Sequence, residues 1–380
     1  MDKKPFAKRV LQIAPLMILS VFAALAILEV VVRLIEMGHL PERRPDPLLG
    51  VRSVPNAVYE HINEGYSRGR FNSHGLRDRE IPYEKPKDSK RVLILGDSFM
   101  EALQVSMDSS FPGRLQTLIG KALPWHNIKV INAGRGGMGT AEEYLWYVTE
   151  GVKYSPDLVL LAFYVGNDFR DNSKTLTGQA VFKPYITFDA DTFWVDASFT
   201  ESRSYKLKTL FWPLLSHSVL AAETERRIET FRAGREKPGP APCPKDVGVF
   251  NIEQDSVWAN AYTVTGNIVA LLDEAVKRSS SALCIMIISD SYQVSDTEDD
   301  CVNGADLRKP NDFLREIAEA RGIPVFDLTD AFEQEYQRTG NYTYGFGENL
   351  GKGRWNESGH LLAAQTMASN QAFIRLLRWL

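Results

Sequence analysis

Residues 91–99 have the sequence Arg-Val-Leu-Ile-Leu-Gly-Asp-Ser-Phe, an apolar run that ends in Gly96-Asp97-Ser98. The run has no polar alternation, which is typical of a strand buried on both faces of a parallel sheet. Gly96 permits a sharp turn after the strand. We therefore expect Ser98 at the carboxyl end of a strand, where open α/β sheets bind their ligands. A serine in that place can act as a nucleophile if a neighbouring group removes its proton.

The pattern of a buried strand followed by a turn and a helix repeats along the chain. Strands are predicted at 129–131, 157–163, 282–288 and 322–326, and helices at 140–152, 255–277, 312–321 and from 357 onward. Strands that alternate with helices predict a mainly parallel sheet with helices on both faces. Asn356 is expected to cap the last helix, and the spacing of Thr140 and Glu143 predicts a capping box.

One long segment, at about 171–250, interrupts this alternation. Within it, residues 184–188 and 192–195 flank Asp189-Ala190-Asp191 and predict a hairpin, and residues 217–234 predict a helix. Insertions of this length often cover or shape a site. A structural flap without substrate contact is the alternative.

The amino-terminal forty residues predict a membrane anchor. Four basic residues precede an uncharged run from Val10 to Leu28, and Val30 to Val32 extend the apolar stretch over residues 10–32. A helix needs about 20 apolar residues to cross a bilayer. The basic flank places the amino terminus in the cytoplasm, and no small-x-small motif indicates cleavage. An amphipathic core helix is the alternative. Glu29 and Arg33 are spaced to pair near the outer interface.

The composition and motifs of the chain argue against nucleic-acid binding and against a metal or nucleotide cofactor. The chain has 380 residues and a net charge of −4, with 44 basic and 48 acidic residues, and no basic patch indicates nucleic-acid binding. It has neither metal-ligand spacing nor a glycine-rich phosphate loop, so we expect no metal and no cofactor. The predicted organisation is a basic tip and transmembrane helix at 1–36, a juxtamembrane linker at 37–67 and one α/β domain at 68–380.

Three cysteines are present. Cys284 lies in a predicted buried strand, where a thiol is inert. Cys243 and Cys301 lie in polar segments that the anchor would hold outside the cytoplasm. In an oxidising compartment these two are the predicted disulfide pair.

Three predicted strand ends carry Gly96-Asp97-Ser98, Asn132-Ala133-Gly134 and Gly166-Asn167-Asp168, in that order. This order resembles the SGNH, or GDSL-like, hydrolase family, whose first three sequence blocks centre on a Ser, a Gly and an Asn. The resemblance covers roughly residues 68–380. The lead-in at 72–78 and the amino-terminal helix are similar to those of an anchored bacterial subgroup. The resemblance implies a flavodoxin-like three-layer α/β/α sandwich with a mainly parallel sheet.

The resemblance also implies roles for individual residues. Ser98 would be the nucleophile of an ester hydrolase or acyltransferase. The backbone N–H groups of Ser98 and Gly134 and the side-chain amide of Asn167 would form the oxyanion hole, which stabilises the charge that develops on the carbonyl oxygen. Asp97 is expected to stabilise the turn by accepting backbone N–H bonds.

The last block of the family pattern is broken. The anchored subgroup commonly carries His-Trp-Asn-x-x-Gly-His, with the first His catalytic, whereas this chain has Arg354-Trp355-Asn356 followed by His360. The resemblance therefore implies that Arg354 stands in the cleft at the position of the base, and an arginine has no acceptor. In a second register, Glu357 and His360 match the Asp-x-x-His spacing of the family. His360 would then be the base and Glu357 its orienting acid; alternatively, His360 has a structural role.

Two functions remain open at this point. The first is an esterase, deacetylase or acyltransferase, anchored in the bacterial inner membrane with its domain in the periplasm or outside the cell. It would act on an ester-bearing small molecule, lipid or polysaccharide. The second is a catalytically impaired relative that binds a glycan or a partner protein, with Arg354 as an anion clamp.

Overall fold

The structure is a computed structural model that describes residues 4–35, 38–178, 182–190, 192–235, 245–295, 300–302 and 304–380. Its strands are β1 (Arg43–Asp46), β2 (Gly50–Ser53), β3 (Val58–His61), β4 (Ser67–Arg70), β5 (Lys90–Gly96), β6 (Ile128–Asn132), β7 (Leu158–Tyr164), β8 (Tyr185–Asp189), β9 (Thr192–Asp196), β10 (Ala282–Ile288) and β11 (Val325–Asp327). Its helices are α1 (Lys4–Leu34), α2 (Ser98–Glu101), α3 (Phe111–Ala122), α4 (Thr140–Thr149), α5 (Asp168–Asp171), α6 (Lys174–Thr177), α7 (Arg203–Leu215), α8 (Val219–Arg235), α9 (Ser256–Arg278), α10 (Lys309–Arg321), α11 (Thr329–Thr339), α12 (Glu357–Ser369) and α13 (Gln371–Trp379).

The centre of the fold is a parallel sheet in the order β11-β10-β7-β5-β6. Leu93 of β5 pairs with Ile131 of β6 and with Val159 of β7, so β5 lies between the other two. Counted along the chain, this is the flavodoxin-like order 2-1-3-4-5. The predicted three-layer sandwich is confirmed, and the switch point of the sheet falls between β5 and β7.

Apolar cores cover both faces of the sheet. Leu93 and Leu161 pack with residues of α4 and α9 on one face. Ile94 and Leu160 pack with α3, α12 and α13 on the other face, where Cys284 is also buried. Both faces are covered, which explains why the strands have uninterrupted apolar sequences.

Residues 43–70 form two antiparallel hairpins, β1-β2 and β3-β4. Leu49 and Tyr59 are almost fully buried, and Arg43 forms an ion pair with Glu101 of α2. The expected juxtamembrane linker is therefore a folded part of the structure, because its apolar residues pack against the body of the fold.

The inserted segment and the carboxyl-terminal helix follow their predicted patterns in part. The predicted hairpin is found as the antiparallel pair β8-β9, and the following helix as α8. Asn356 caps α12 by accepting the N–H groups of Ser358 and Gly359. The last helix, however, breaks at Asn370, whose side chain caps α13.

The predicted Thr140–Glu143 capping box is wrong. The helix is capped one residue earlier, at Gly139, whose N–H donates to Glu142 Oε2 at 3.0 Å. Glu143 therefore takes no part in the cap, and its side chain is fully buried.

The apolar amino-terminal helix α1 contains a segment, Ile13–Leu34, that is long and apolar enough to cross a membrane. Its mean hydropathy is 2.5, and within its 18-residue apolar window only 6% of the residues are buried by the rest of the chain. The low burial is unlike that of a core helix.

Candidate active site

Ser98 lies at the topological switch point of the sheet. Strand β5 ends at Gly96, and Ser98 is the first residue of α2. A Cβ on Gly96 would lie 2.5 Å from Met100 Cγ, so this tight turn requires glycine. Ser98 is half-exposed, and its Oγ lies 3.4 Å from Asp97 Oδ2. The serine hydroxyl is thus presented at the edge of the sheet where such folds bind ligands.

Asp97 and Asn167 join the ends of the two neighbouring strands. Asp97 Oδ1 accepts the Phe99 N–H at 2.8 Å, and its Oδ2 accepts Asn167 Nδ2 at 3.2 Å. Asp97 is fully buried, and this burial raises its pKa. Asn167 follows β7, the neighbour of β5, so the sheet order brings its amide to the serine turn.

Gly134 does not have the geometry expected of an oxyanion donor. Its N–H donates to Asn132 Oδ1 at 3.0 Å. A Cβ at this position would lie 2.3 Å from Met100 Cβ, so Gly134 allows close packing against α2. Because its N–H already has an acceptor, the expectation that Gly134 donates to a substrate oxygen is corrected.

A second glycine of this loop, Gly136, lies beside Ser98. A Cβ on Gly136 would lie 3.6 Å from Ser98 Cβ, and the Gly136 N–H donates to Glu101 Oε2 at 2.8 Å. Gly137 follows with φ of +80°, which favours glycine. No acceptor among the described residues pairs with the Gly137 N–H. Sequence reasoning missed this loop, although three glycines in four positions were the available signal.

Arg354 lies beside this site and is paired. Its Nη1 donates to Glu64 Oε2 at 2.8 Å, and both side chains are about one-third exposed. Burial lowers the pKa of Arg354, but the carboxylates of Glu64, Asp97 and Glu101 raise it above its ordinary value. The guanidinium is therefore a permanent cation whose charge Glu64 compensates. It cannot accept a proton from Ser98.

Comparison with family models shows that the GDSL-like lipase/acylhydrolase family matches residues 94–364, which is more than half of the chain. The chain belongs to the GDSL-like lipase/acylhydrolase family. The match extends from β5, before the serine turn, into α12. Comparison with curated proteins finds no match.

Solved structures with a similar chain path include two hydrolases. An α/β hydrolase from the metagenome of Lake Arreo, Spain, has 14% identity and a TM-score of 0.39, with 78% of this chain and 98% of that chain covered. A catalytic mutant of an acetylxylan esterase from Geobacillus stearothermophilus has 12% identity and a TM-score of 0.41, with 77% and 96% covered.

His360 of this GDSL-like chain is not placed to act on Ser98. It is fully buried. Its Nδ1 accepts the Phe111 N–H at 3.2 Å, and its Nε2 lies 3.3 Å from Gln104 Nε2. Burial, assisted by Arg77 and Arg114, lowers the pKa of His360 to about 3. Both ring nitrogens are engaged in the core, so the expectation that His360 is the base is corrected.

Glu357 has no orienting contact with that histidine. It is exposed at the first position of α12, while the ring of His360 contacts Gln104 and the Phe111 N–H. Acid-x-x-His spacing at a helix start points the two side chains in different directions, one to solvent and one to the core. The predicted role of Glu357 is therefore corrected too.

The buried His360 makes stability depend on pH. Its folded-state pKa of about 3 lies below the ordinary value of 6.5, so the unfolded chain takes up a proton between these values and the folded chain does not. The stability that the neutral His360 contributes is complete above pH 6.5. It is lost as the pH falls toward about 3, at up to about 1.4 kcal/mol of unfolding free energy per pH unit. We expect the stability difference between wild type and His360→Gln, measured by thermal unfolding in detergent, to shrink from about pH 7.5 to about pH 5.

The exposed His126 supplies the matched control, since His126→Gln should unfold like wild type at each pH. A difference between wild type and His360→Gln that stays constant over this pH range would contradict a buried neutral His360.

The structure places His61 near Arg354 and the carboxylates of Glu64 and Glu101. This histidine is the last residue of β3, and its Nε2 is buried with no hydrogen-bond partner among the described residues. Burial lowers its pKa; nearby Arg354 lowers it further, and Glu64 and Glu101 raise it. The ring is therefore neutral at neutral pH. Local sequence gave no signal, because the β3-β4 hairpin brings His61 near Arg354 across a long sequence separation.

A cavity of about 230 Å³ adjoins the glycine loop. Its polar lining includes Arg43, Arg135, Glu142 and Lys183, beside Gly136 and Gly137. Lys183 Nζ donates to the Gly137 carbonyl at 2.9 Å and lies 3.1 Å from Glu142 Oε1. Lys183 belongs to the 171–250 insertion, so this contact favours the interpretation that the insertion shapes the site.

Two further carboxyl groups near Asp97 are buried without full hydrogen bonding. Both oxygens of Glu143, and Oδ1 of Asp168, have no partner in the described part of the chain. Burial raises the pKa of Glu143 and Asp168 well above the usual range, and the charge of Asp97 raises both further. These acids therefore favour their protonated forms, which limits the negative charge behind Ser98.

The remaining predictions concern metals and cysteines. Among the residues with described positions, no group of three or more His, Cys, Asp or Glu side chains is arranged to hold a metal ion. Cys284 is a free buried thiol, as expected. Cys243 lies outside the described residues, so its pairing with Cys301 stays a prediction.

Proposed function

We propose that this chain is a membrane-anchored ester hydrolase that acts outside the cytoplasm on short-chain esters. The observation that carries the proposal is the half-exposed Ser98 at the β5-β7 switch point, with Asn167 and the Gly136-Gly137 turn beside it. Membership of an acylhydrolase family supports the same reaction class.

In the proposed reaction, Ser98 Oγ attacks the ester carbonyl carbon and loses its proton to a base. The C–O bond to the alcohol then breaks, the alcohol leaves with a proton, and water hydrolyses the acyl-serine. An oxyanion develops in both steps and needs donors that are already oriented. Asn167 Nδ2 and the N–H groups of Ser98 and Gly137 are the proposed donors. If a sugar hydroxyl replaces water, the same site performs acyl transfer.

We propose His61 as the base, because Arg354 cannot accept a proton and His360 is buried elsewhere. The unpartnered Nε2 of His61 and its lowered pKa support this assignment. A neutral imidazole can accept the Ser98 proton. The carboxylates of Glu64 and Glu101 partly offset the effect of burial and of Arg354 on the imidazolium that forms.

The size of the cavity supports a small acyl group. A space of about 230 Å³ beside Gly136 and Gly137 is large enough for an acetyl group. Its cationic lining from Arg43, Arg135 and Lys183 suits ester carbonyl and hydroxyl oxygens. We therefore propose acetyl esters of a polysaccharide, lipid or small molecule as substrates.

We further propose that α1 anchors the chain in the bacterial inner membrane, with the hydrolase fold on the periplasmic or outer side. The apolar segment Ile13–Leu34 is long enough to span a bilayer. Basic residues before it favour a cytoplasmic amino terminus.

A second candidate is a catalytically impaired protein that binds a glycan or a partner protein. The Arg354–Glu64 ion pair favours it, because this pair stands where the family pattern has its base. The charge compensation by Glu64 makes Arg354 a poor anion clamp, so this candidate would bind a neutral ligand.

Hydrolysis of a short-chain aryl acetate by the full chain in detergent separates the two functions. The hydrolase proposal predicts a wild-type rate well above that of Ser98→Ala. The impaired candidate predicts equal rates for these two proteins and a gain of activity in Arg354→His, which restores a base at the family position.

A further inference from the structure

Helix α7 exposes a continuous apolar face. Leu207, Leu210, Phe211 and Leu214 are 54%, 70%, 51% and 70% exposed. Their i, i+3, i+4, i+7 spacing places them on one side of the helix. Exposed apolar patches of this kind mark contacts with a partner or a membrane.

The opposite side of α7 is attached to the rest of the fold. The Tyr205 ring packs edge-on against Phe182 and Phe199, with centroids 5.2 Å and 5.1 Å away. Lys208 forms an ion pair with Glu225 of α8. The apolar face is therefore held in a fixed direction.

Helix α8 connects this face to α1. Glu29 of α1 accepts the N–H groups of Val219 and Leu220, both at 2.9 Å, and the Ser218 hydroxyl at 2.8 Å. Arg33 pairs with Glu29 at 2.7 Å. These contacts cap the start of α8 with a carboxylate from the apolar amino-terminal helix.

The three helices enclose a largely apolar groove of about 960 Å³. Leu25 and Phe22 of α1 line it together with Leu207, Phe211 and Leu214 of α7. Leu25 and Phe22 are four and seven residues from Glu29, which is about 6 and 10 Å along the helix axis. If Glu29 and Arg33 lie at the membrane–water interface, the groove lies about 5–10 Å below it. Interfacial helices bury their apolar faces at this depth.

We propose that the apolar face of α7 inserts into the membrane leaflet on the hydrolase side, where acyl chains of lipids fill the groove. The proposal rests on the proposed anchoring by α1. Any bilayer that surrounds Phe22 and Leu25 also surrounds the side chains of α7 that share their groove. The chain would thus be held by a spanning helix and an interfacial helix, which fixes its orientation on the membrane.

Nitroxide labels on the full chain in lipid nanodiscs test this. Single cysteines replace Leu210 on α7, Val21 on α1 as the reference for lipid, and Lys121, exposed at the end of α3, as the reference for water. The unsubstituted chain, labelled without reductant, gives the background from native cysteines. We expect the label at 210, like that at 21, to collide preferentially with oxygen, and the label at 121 with a water-soluble nickel chelate.

A label at 210 that behaves like the one at 121, while 21 is in lipid, overturns the insertion of α7 but leaves the anchor intact. Labels at both 21 and 210 in water overturn the anchor itself. A label at 210 shielded from both reagents means that protein covers this face, which also overturns the proposal.

Discussion

Replacing Ser98 with alanine is expected to lower the rate of aryl acetate hydrolysis by at least about 10³-fold. The variant keeps the donors that polarise the carbonyl but has no oxygen to form the acyl-enzyme. Ser98 is half-exposed, and the one hydrogen bond of its hydroxyl to a described residue is a weak one, to Asp97 Oδ2 at 3.4 Å. The fold should therefore tolerate the change. Rates of the purified full chains in detergent, with thermal unfolding of each, measure the effect.

Ser358→Ala is the matched control, because Ser358 is an exposed serine in the first turn of α12. It should retain the wild-type rate. If Ser98→Ala keeps the wild-type rate and unfolding temperature, the hydrolysis does not depend on Ser98, and the proposed mechanism is wrong.

Replacing His61 with glutamine is expected to lower kcat/KM by about 10²- to 10⁴-fold, the usual contribution of a general base. The base works only in its neutral form, so kcat/KM should rise with pH through the pKa of His61. Burial holds this pKa below the ordinary 6.5. Wild type should therefore remain active at pH values where an ordinary histidine is mostly protonated. The variant should lose this titration from its pH-rate profile.

His39→Gln is the control for this test, because His39 contacts Glu60 of the same strand β3 at 3.3 Å. It should leave the pH-rate profile unchanged. A His61→Gln variant with an unaltered rate and profile would show that another group takes the Ser98 proton.

The strands and their polar ends could be predicted from sequence because the information is local. An uninterrupted apolar run such as Val92–Leu95 needs apolar cover on both sides, and a glycine after each of the first three runs marks the turn. Alternation of strands and helices then predicts a parallel sheet, in which Ser98 and Asn167 meet at one edge. The structure has this order, with β5 and β7 as neighbours.

The proton acceptor could not be predicted in this way, because it depends on contacts far apart in sequence. Spacing alone made His360 a candidate, but the packing of α12 against α3 turns its ring into the core. His61 lies in a segment expected to be a linker, and the hairpin that carries it folds back beside Arg354. The choice between Gly134 and its neighbours depends on which N–H is already bonded, here by Asn132.

The most direct test of the central claim, that Ser98 is an activated nucleophile, is covalent labelling with a fluorophosphonate, which reacts with activated serine hydroxyls. The full chain in detergent is treated with the probe, digested and analysed by mass spectrometry. We predict a phosphonyl adduct on Ser98, absent in Ser98→Ala and strongly reduced in His61→Gln. An intact, folded chain that gains no adduct at Ser98, or that gains it only at another residue, would contradict the proposal.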